Sequence, residues 1–112
     1  MITFDDVKAV ALTLPNVEAS TKYDGSPVLK AGGTFLAGIA TDESADADSL
    51  VVRMDLEDRQ YLLEDAPDTY YVTDYYERYP VVLVRMEHLP HDALRDLLNG
   101  SWKLAMKKGK NR

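Results

Sequence analysis

Five of the seven tyrosines in this chain fall within ten residues: Tyr70, Tyr71, Tyr75, Tyr76 and Tyr79. An aromatic ring stacks on an unpaired base. Tyrosine is also enriched in protein interfaces, where a flat apolar body carries a polar tip. Its companions here are Asp68, Asp74 and Glu77, with Arg78 the lone cation. Base stacking needs cations close by, whereas a protein-binding surface built from Tyr71, Tyr75, Tyr76 and Tyr79 does not. A plainer alternative has the rings closing a core edge around a turn.

Two sets of cations supply the other half of a nucleic-acid site. Lys30, Arg53 and Arg85 each alternate with apolar neighbours, Leu29 and Ala31, Val52 and Met54, Val84 and Met86. On adjacent strands they would line one sheet face with positive charge that meets phosphates. An ordinary solvated face, each cation paired with a nearby Asp or Glu, fits the same pattern. The second set closes the chain: Lys103, Lys107, Lys108, Lys110 and Arg112, with no acid among the last ten residues. Engaging three to five phosphates would give a log–log salt slope of about −3 to −4.5. The same tail would also complement the negative end of a terminal helix.

Other chemistry finds less support. His88 and His91 lie three apart, and Glu87 or Asp92 would have to complete a metal site. No second pair repeats that spacing. The acids from Asp42 to Asp48 lack the glycine and closing glutamate of a calcium loop. Ser26, Ser101 and Thr21 sit in no nucleophile elbow, and no glycine-rich phosphate loop leads into a helix. The expectation is a protein that is not an enzyme, with no metal and no cofactor.

The elements that must position these residues are readable from periodicity. Thr3, with Asp6 three residues on, resembles a capping box. Phe4, Val7, Val10, Ala11 and Leu14 follow at helical spacing until Pro15 disfavours helical geometry at Leu14. A polar connection leads to strands over 28–31 and 34–40, joined by Gly32-Gly33 in a tight hairpin. Phe35, Ala37 and Ile39 are expected on one face of the second strand. Residues 42–48 read as a loop and 50–54 as a strand. Asp55 caps a short helix that buries Leu56, Leu62 and Leu63 and stops at Ala66-Pro67. Strands over 70–73 and 81–86 follow. From Pro90, Leu94, Leu98, Trp102 and Met106 step by four along a last helix that Gly100 is expected to break in two. This order predicts an α+β fold, a single antiparallel sheet with helices packed on one face.

Composition bounds the rest. The 112 residues suit one domain spanning the chain, with the basic tail beginning at about residue 103. There is no cysteine, hence no disulfide and no thiolate ligand or nucleophile. The N-terminus lacks a signal-peptide pattern, and no apolar run approaches the ~20 residues of a membrane span. A cytoplasmic protein without membrane contact is expected. Residues 1–102 carry eight Lys/Arg against nineteen Asp/Glu, a net −11, and the tail adds five cations. Only the tail should attract a phosphate backbone at long range.

Several short motifs in this order resemble the MmcQ/YjbR-like family. They are Leu14-Pro15-Asn16-Val17-Glu18, Gly25-Ser26-Pro27 and Gly32-Gly33-Thr34-Phe35 entering a strand. Ala66-Pro67-Asp68-Thr69-Tyr70, the tyrosine-rich turn, the apolar strand before His88 and Leu94-Arg95-Asp96-Leu97-Leu98 complete the set. The resemblance covers nearly the whole chain. It implies a double-wing α+β fold, for which DNA binding has been proposed, and it brings no catalytic residues. Two readings stay open: weak, salt-sensitive binding of DNA or another nucleic acid through Lys30, Arg53, Arg85 and the lysine tail, or a protein-interaction module using the tyrosines.

Overall fold

The computed structural model describes the backbone of residues 1–110 and the side chains of residues 1–107. Six strands form one antiparallel sheet in the order β1-β2-β3-β4-β6-β5. They are β1 (Val17–Thr21), β2 (Pro27–Ala31), β3 (Thr34–Ile39), β4 (Ser49–Arg53), β5 (Tyr70–Tyr71) and β6 (Val81–Arg85). Four helices accompany them, α1 (Phe4–Ala11), α2 (Leu56–Asp65), α3 (Asp74–Glu77) and α4 (His91–Lys110), and Met86–His88 makes a 3-10 turn. The α+β class and the single antiparallel sheet are as expected.

Local chemistry sets the element ends. The Thr3 side chain accepts from the Asp6 N–H while the Asp6 carboxylate accepts from the Thr3 N–H at 2.9 Å, a complete capping box. These hydrogen bonds from Thr3 hold the Asp6 carboxyl below its ordinary value. Asp55 caps α2 through the Asp58 N–H at 2.9 Å. Gly32 and Gly33 both take positive φ, 57° and 81°, as a type I′ hairpin turn requires. The Pro15-Asn16 turn is pinned from two sides, since Trp102 Nε1 donates to Pro15 O at 2.7 Å and Gly32 N to Asn16 O at 2.9 Å.

One face of the sheet holds the main core. Leu29, Ala37, Val52 and Val82 stand opposite one another across β2, β3, β4 and β6, all fully buried. Val7 and Ala11 of α1 and Leu94, Leu98 and Ala105 of α4 close over them. Removing this much apolar surface from water is the main stabilising term in the fold. Among the described residues no helix is long and apolar enough to cross a membrane.

Four expectations need correction. The polar connection after α1 contains β1, whose Val-Glu-Ala-Ser-Thr sequence lacks apolar alternation because it is an exposed edge strand paired with β2 alone. Leu56 is not buried but lies on the solvent side of α2, which has no fully buried residue. The last helix runs through Gly100 unbroken, because residues on both sides are tied to the sheet: Leu98 is buried and Ser101 Oγ donates to Leu36 O at 3.1 Å. Finally, Phe35 does not share a face with Ala37 and Ile39. Leu29 is opposite Ala37 but Lys30 is opposite Phe35, so Leu36 is an extra residue, a β-bulge. Leu36 and Ala37 both enter the main core, and Phe35 turns to the other side.

That other side is not bare. Val28, Gly38, Val51, Leu83 and Tyr71 form a row across it. The one-turn helix α3 and the loop after β3 cover its centre, with Tyr76 packing on Val51, Val81 and Leu83. Helices therefore lie on both faces, three against the main core and the shortest on the second. A Cβ at Gly38 would stand 3.2 Å from Pro27 O, so the glycine lets the backbone at the start of β2 come close.

The same substitution should have opposite effects at two glycines. Gly38→Ala should destabilise the protein by about 1–3 kcal/mol through overpacking. Gly100→Ala, where a Cβ would meet nothing within 4 Å, should stabilise it by about 0.5–1 kcal/mol. Urea midpoints at fixed slope decide both.

Candidate functional site

The second face of the sheet carries Tyr71, Tyr75, Tyr76, Tyr79, Arg53 and Arg85, and the structure divides them into two groups with different duties. Tyr71 and Arg85 are structural. The Arg85 guanidinium lies 4.0 Å above the Tyr71 ring, and its Nε bonds to Asp46 Oδ2 at 3.0 Å. Nη1 reaches Asp68 O at 3.3 Å. The Tyr71 hydroxyl accepts from the Asp46 N–H at 2.8 Å and also bonds to Ser49 Oγ. Together they fasten the acidic loop after β3 to the sheet edge. An arginine held by a ring, a carboxylate and a carbonyl has little left for a phosphate, so Arg85 does not join a basic stripe.

Arg53 and three tyrosines form the second group. Thr73 caps α3 by accepting from the Tyr76 N–H at 3.4 Å, which winds Tyr75 and Tyr76 into one turn with Tyr79 just beyond. Tyr76 is buried, and its hydroxyl accepts from the Asp42 N–H at 3.1 Å. Tyr75 stands edge-on to Tyr76, centroids 4.9 Å apart, and tilted against Tyr79 at 5.9 Å. Both Tyr75 and Tyr79 remain 42% exposed. The Arg78 guanidinium sits 5.6 Å over the Tyr75 ring. The neighbouring Tyr79 phenol raises the Tyr75 phenol above its ordinary value, so Tyr75 is neutral at physiological pH.

Beside these rings the floor opens into a cavity of about 310 Å³ between Phe35, Val51 and Pro80, with Arg53 and Lys22 at its sides. The bulge creates this place. Pairing of β3 with β4 begins only at Ala37 opposite Val52, and Arg53 Nε donates to Phe35 O at 2.7 Å just before it. Burial lowers the Arg53 pKa from its ordinary value, yet an arginine stays charged at any physiological pH. A half-buried cation, a second cation and exposed aromatic faces can hold an anion attached to a flat ring.

The remaining sequence candidates lie elsewhere. Lys30 is half-buried on β2, opposite Glu18 in β1 and Phe35 in β3, one position from the cavity. Lys103 and Lys107 are exposed on α4, across the sheet from the tyrosines. The side chains of Lys108 and Lys110, and Arg112, lie outside the described residues. Among the described residues, the cations of the sheet and those of the last helix are thus not one surface. His88 Nε2 stands 3.8 Å from Glu87 Oε1, both well exposed.

Lys22 was not anticipated. It follows β1, which sequence read as a connection, and enters the site because the first hairpin closes there. Lys22 N donates to Ser26 O at 2.9 Å, Asp24 accepts from Ser26, and Gly25 takes a φ of 87°. The Asp24-Gly25 pair was the available signal, being a hairpin-turn dipeptide.

The comparisons with known proteins agree with this architecture. Among solved structures, the crystal structure of Deinococcus radiodurans protein DR2400, described by the family domain DUF419, is similar with a TM-score of 0.79 and 28% sequence identity. The similarity covers 97% of this chain and 82% of that one. No curated protein matches. The family model described as YjbR matches residues 12–104, from the C-cap of α1 through all six strands and into the last helix. By that match, the chain belongs to the YjbR family.

Proposed function

We propose that this protein binds unpaired nucleic acid weakly, by seating one nucleotide in the cleft of Arg53, Lys22, Tyr75 and Tyr79. One observation carries the reading: the exposed tyrosine rings border a cavity that has two cations and no carboxylate among its lining residues. A base would stack on Tyr75 or Tyr79, and its phosphate would meet Arg53 and Lys22. The volume suits a single nucleotide and excludes a duplex from the floor. The net −11 of residues 1–102 opposes a wide phosphate footprint and keeps affinity low. This refines the double-wing DNA-binding expectation, replacing a basic sheet face with a stacking site. The role is recognition and not catalysis.

Anisotropy of a labelled eight-nucleotide oligothymidine tests it at 20 mM and 200 mM salt. Binding should be detectable at the lower concentration and fall steeply at the higher. Tyr75→Ala should cost about 1–3 kcal/mol of binding. Lys22→Ala should flatten the log–log salt slope by about 0.7, the share of one phosphate contact on a single strand. Lys107→Ala, on the opposite face, should leave the oligothymidine affinity within twofold.

A second reading follows from the same exposed rings, since Tyr75, Tyr79 and Arg78 are the residue types that dominate protein interfaces. If no oligonucleotide binds at 20 mM salt and Tyr75→Ala instead weakens capture of a protein partner, the nucleic-acid proposal falls and the surface is a protein-docking site.

A further inference from the structure

The two edges of the sheet are finished differently. At one edge β5 is only two residues long, and shortness protects a strand from pairing further. At the other, β1 holds an unbroken register with β2 over five residues, without proline or bulge. Glu18 to Thr21 are exposed. At its two ends Gly32 N donates to Asn16 O and Lys22 N to Ser26 O, each at 2.9 Å. By the alternation of an antiparallel ladder, the backbone groups of Glu18 and Ser20 face β2 as well. Those of Val17, Ala19 and Thr21 therefore point away from the sheet. Among the described residues, β1 pairs with no strand but β2.

The side chains on this edge provide the second, independent observation. Ala19 and Thr21 stand on the main-core side, opposite Leu29 and Pro27, and border a hollow beside Phe4 of α1. Glu18, Ser20 and the following Lys22 stand on the second face. Glu18 and Lys22 are thus opposite charges on one face, spaced evenly about Ser20. Neither is in an ion pair among the described residues. Such a strand is complementary in charge to itself when a second copy runs antiparallel to it. Just beyond, Tyr23 is fully exposed.

We infer that β1 pairs with β1 of a second copy of this chain, antiparallel about a two-fold axis at Ser20, joining two sheets into one. Ala19 and Thr21 of each copy then exchange N–H···O=C bonds with Thr21 and Ala19 of the other, using the groups that point outward. The pairs between them bring side chains closest. There Glu18 of each copy meets Lys22 of the other, and the two Ser20 hydroxyls face each other. Charge selects this register. An axis at Glu18 would set like charges opposite, and an axis at Ala19 would leave Glu18 opposite Ser20. Tyr23 comes level with Val17 of the other copy. The two-fold axis closes the arrangement, so it gives a dimer and not a fibre. Each copy carries −6, a repulsion that physiological salt largely screens.

Sedimentation equilibrium of the full chain between about 10 and 500 µM, in 150 mM salt, tests this. The weight-average mass should rise from the monomer value toward twice that value. Ala19→Pro removes an outward N–H and no bond to β2. It should weaken self-association at least tenfold, with the fold intact by circular dichroism. Glu18→Lys and Lys22→Glu should each weaken it by about three- to tenfold, since each turns two exposed ion pairs into repulsions. An equimolar mixture of these two variants should pair to within twofold of the parent chain, because both contacts are then attractive again. Lys22 also borders the tyrosine cleft and Ala19 does not, so Ala19→Pro tests the dimer apart from the nucleotide reading. A monomer at every concentration would overturn the inference. So would a dimer that Ala19→Pro leaves intact, a dimer lost in Tyr75→Ala instead, or failure of the mixed variants to pair.

Discussion

A sheet whose strands alternated strictly would send every second residue of β3 to the main core. The extra residue at Leu36 breaks that rule once, and much of the second face follows from it. Leu36 and Ala37 fill the main core together, and Phe35 is released to the other side. The two carbonyls at the shift both accept from side chains. Phe35 O accepts from Arg53, and Leu36 O accepts from Ser101 of α4. A bulge bends and twists the strand locally, and here it also fixes a long helix on one face and a cation on the other.

The result is a sheet covered unequally. Three helices bury one side almost completely. The other is covered by a single helical turn and by a loop tied down through tyrosine hydroxyls, Tyr71 on Asp46 and Tyr76 on Asp42. Phenols that bond to backbone amides of an acidic loop are structural members, and they leave Tyr75 and Tyr79 as the free faces. Charge is divided just as unequally. The cations near the tyrosines lie within a cleft, and the described lysines of the last helix point to solvent behind it.

Much of this was legible in the residues. The capping box, the glycine corner, the caps of the second helix and the apolar strands of the main core follow from local rules that tertiary packing did not override. Three features were hidden, each for its own physical reason. The edge strand β1 has solvent on nearly every side, so no apolar pattern marks it. The bulge adds one residue to a six-residue strand, too little to disturb the reading of alternation while inverting its outcome. The duties of the arginines depend on partners far away in sequence. Arg85 alternates just as Arg53 does, yet one meets Asp46 and a ring while the other borders an open cavity. Alternation names the face a cation occupies and is silent about its neighbours.

The edge position of β1 bears on the cleft. Strands held on both sides open only with the whole sheet, but β1 is bonded to β2 alone and its residues are largely solvated. A segment of that kind unzips at a free energy well below that of global unfolding. Lys22 follows its end, so one wall of the cavity rests on an edge strand, where Arg53 sits on a strand with neighbours on both sides. An anion drawing both cations together would be repaid in part by quieting the first hairpin, and amide exchange along Val17–Thr21 would slow in proportion to occupancy.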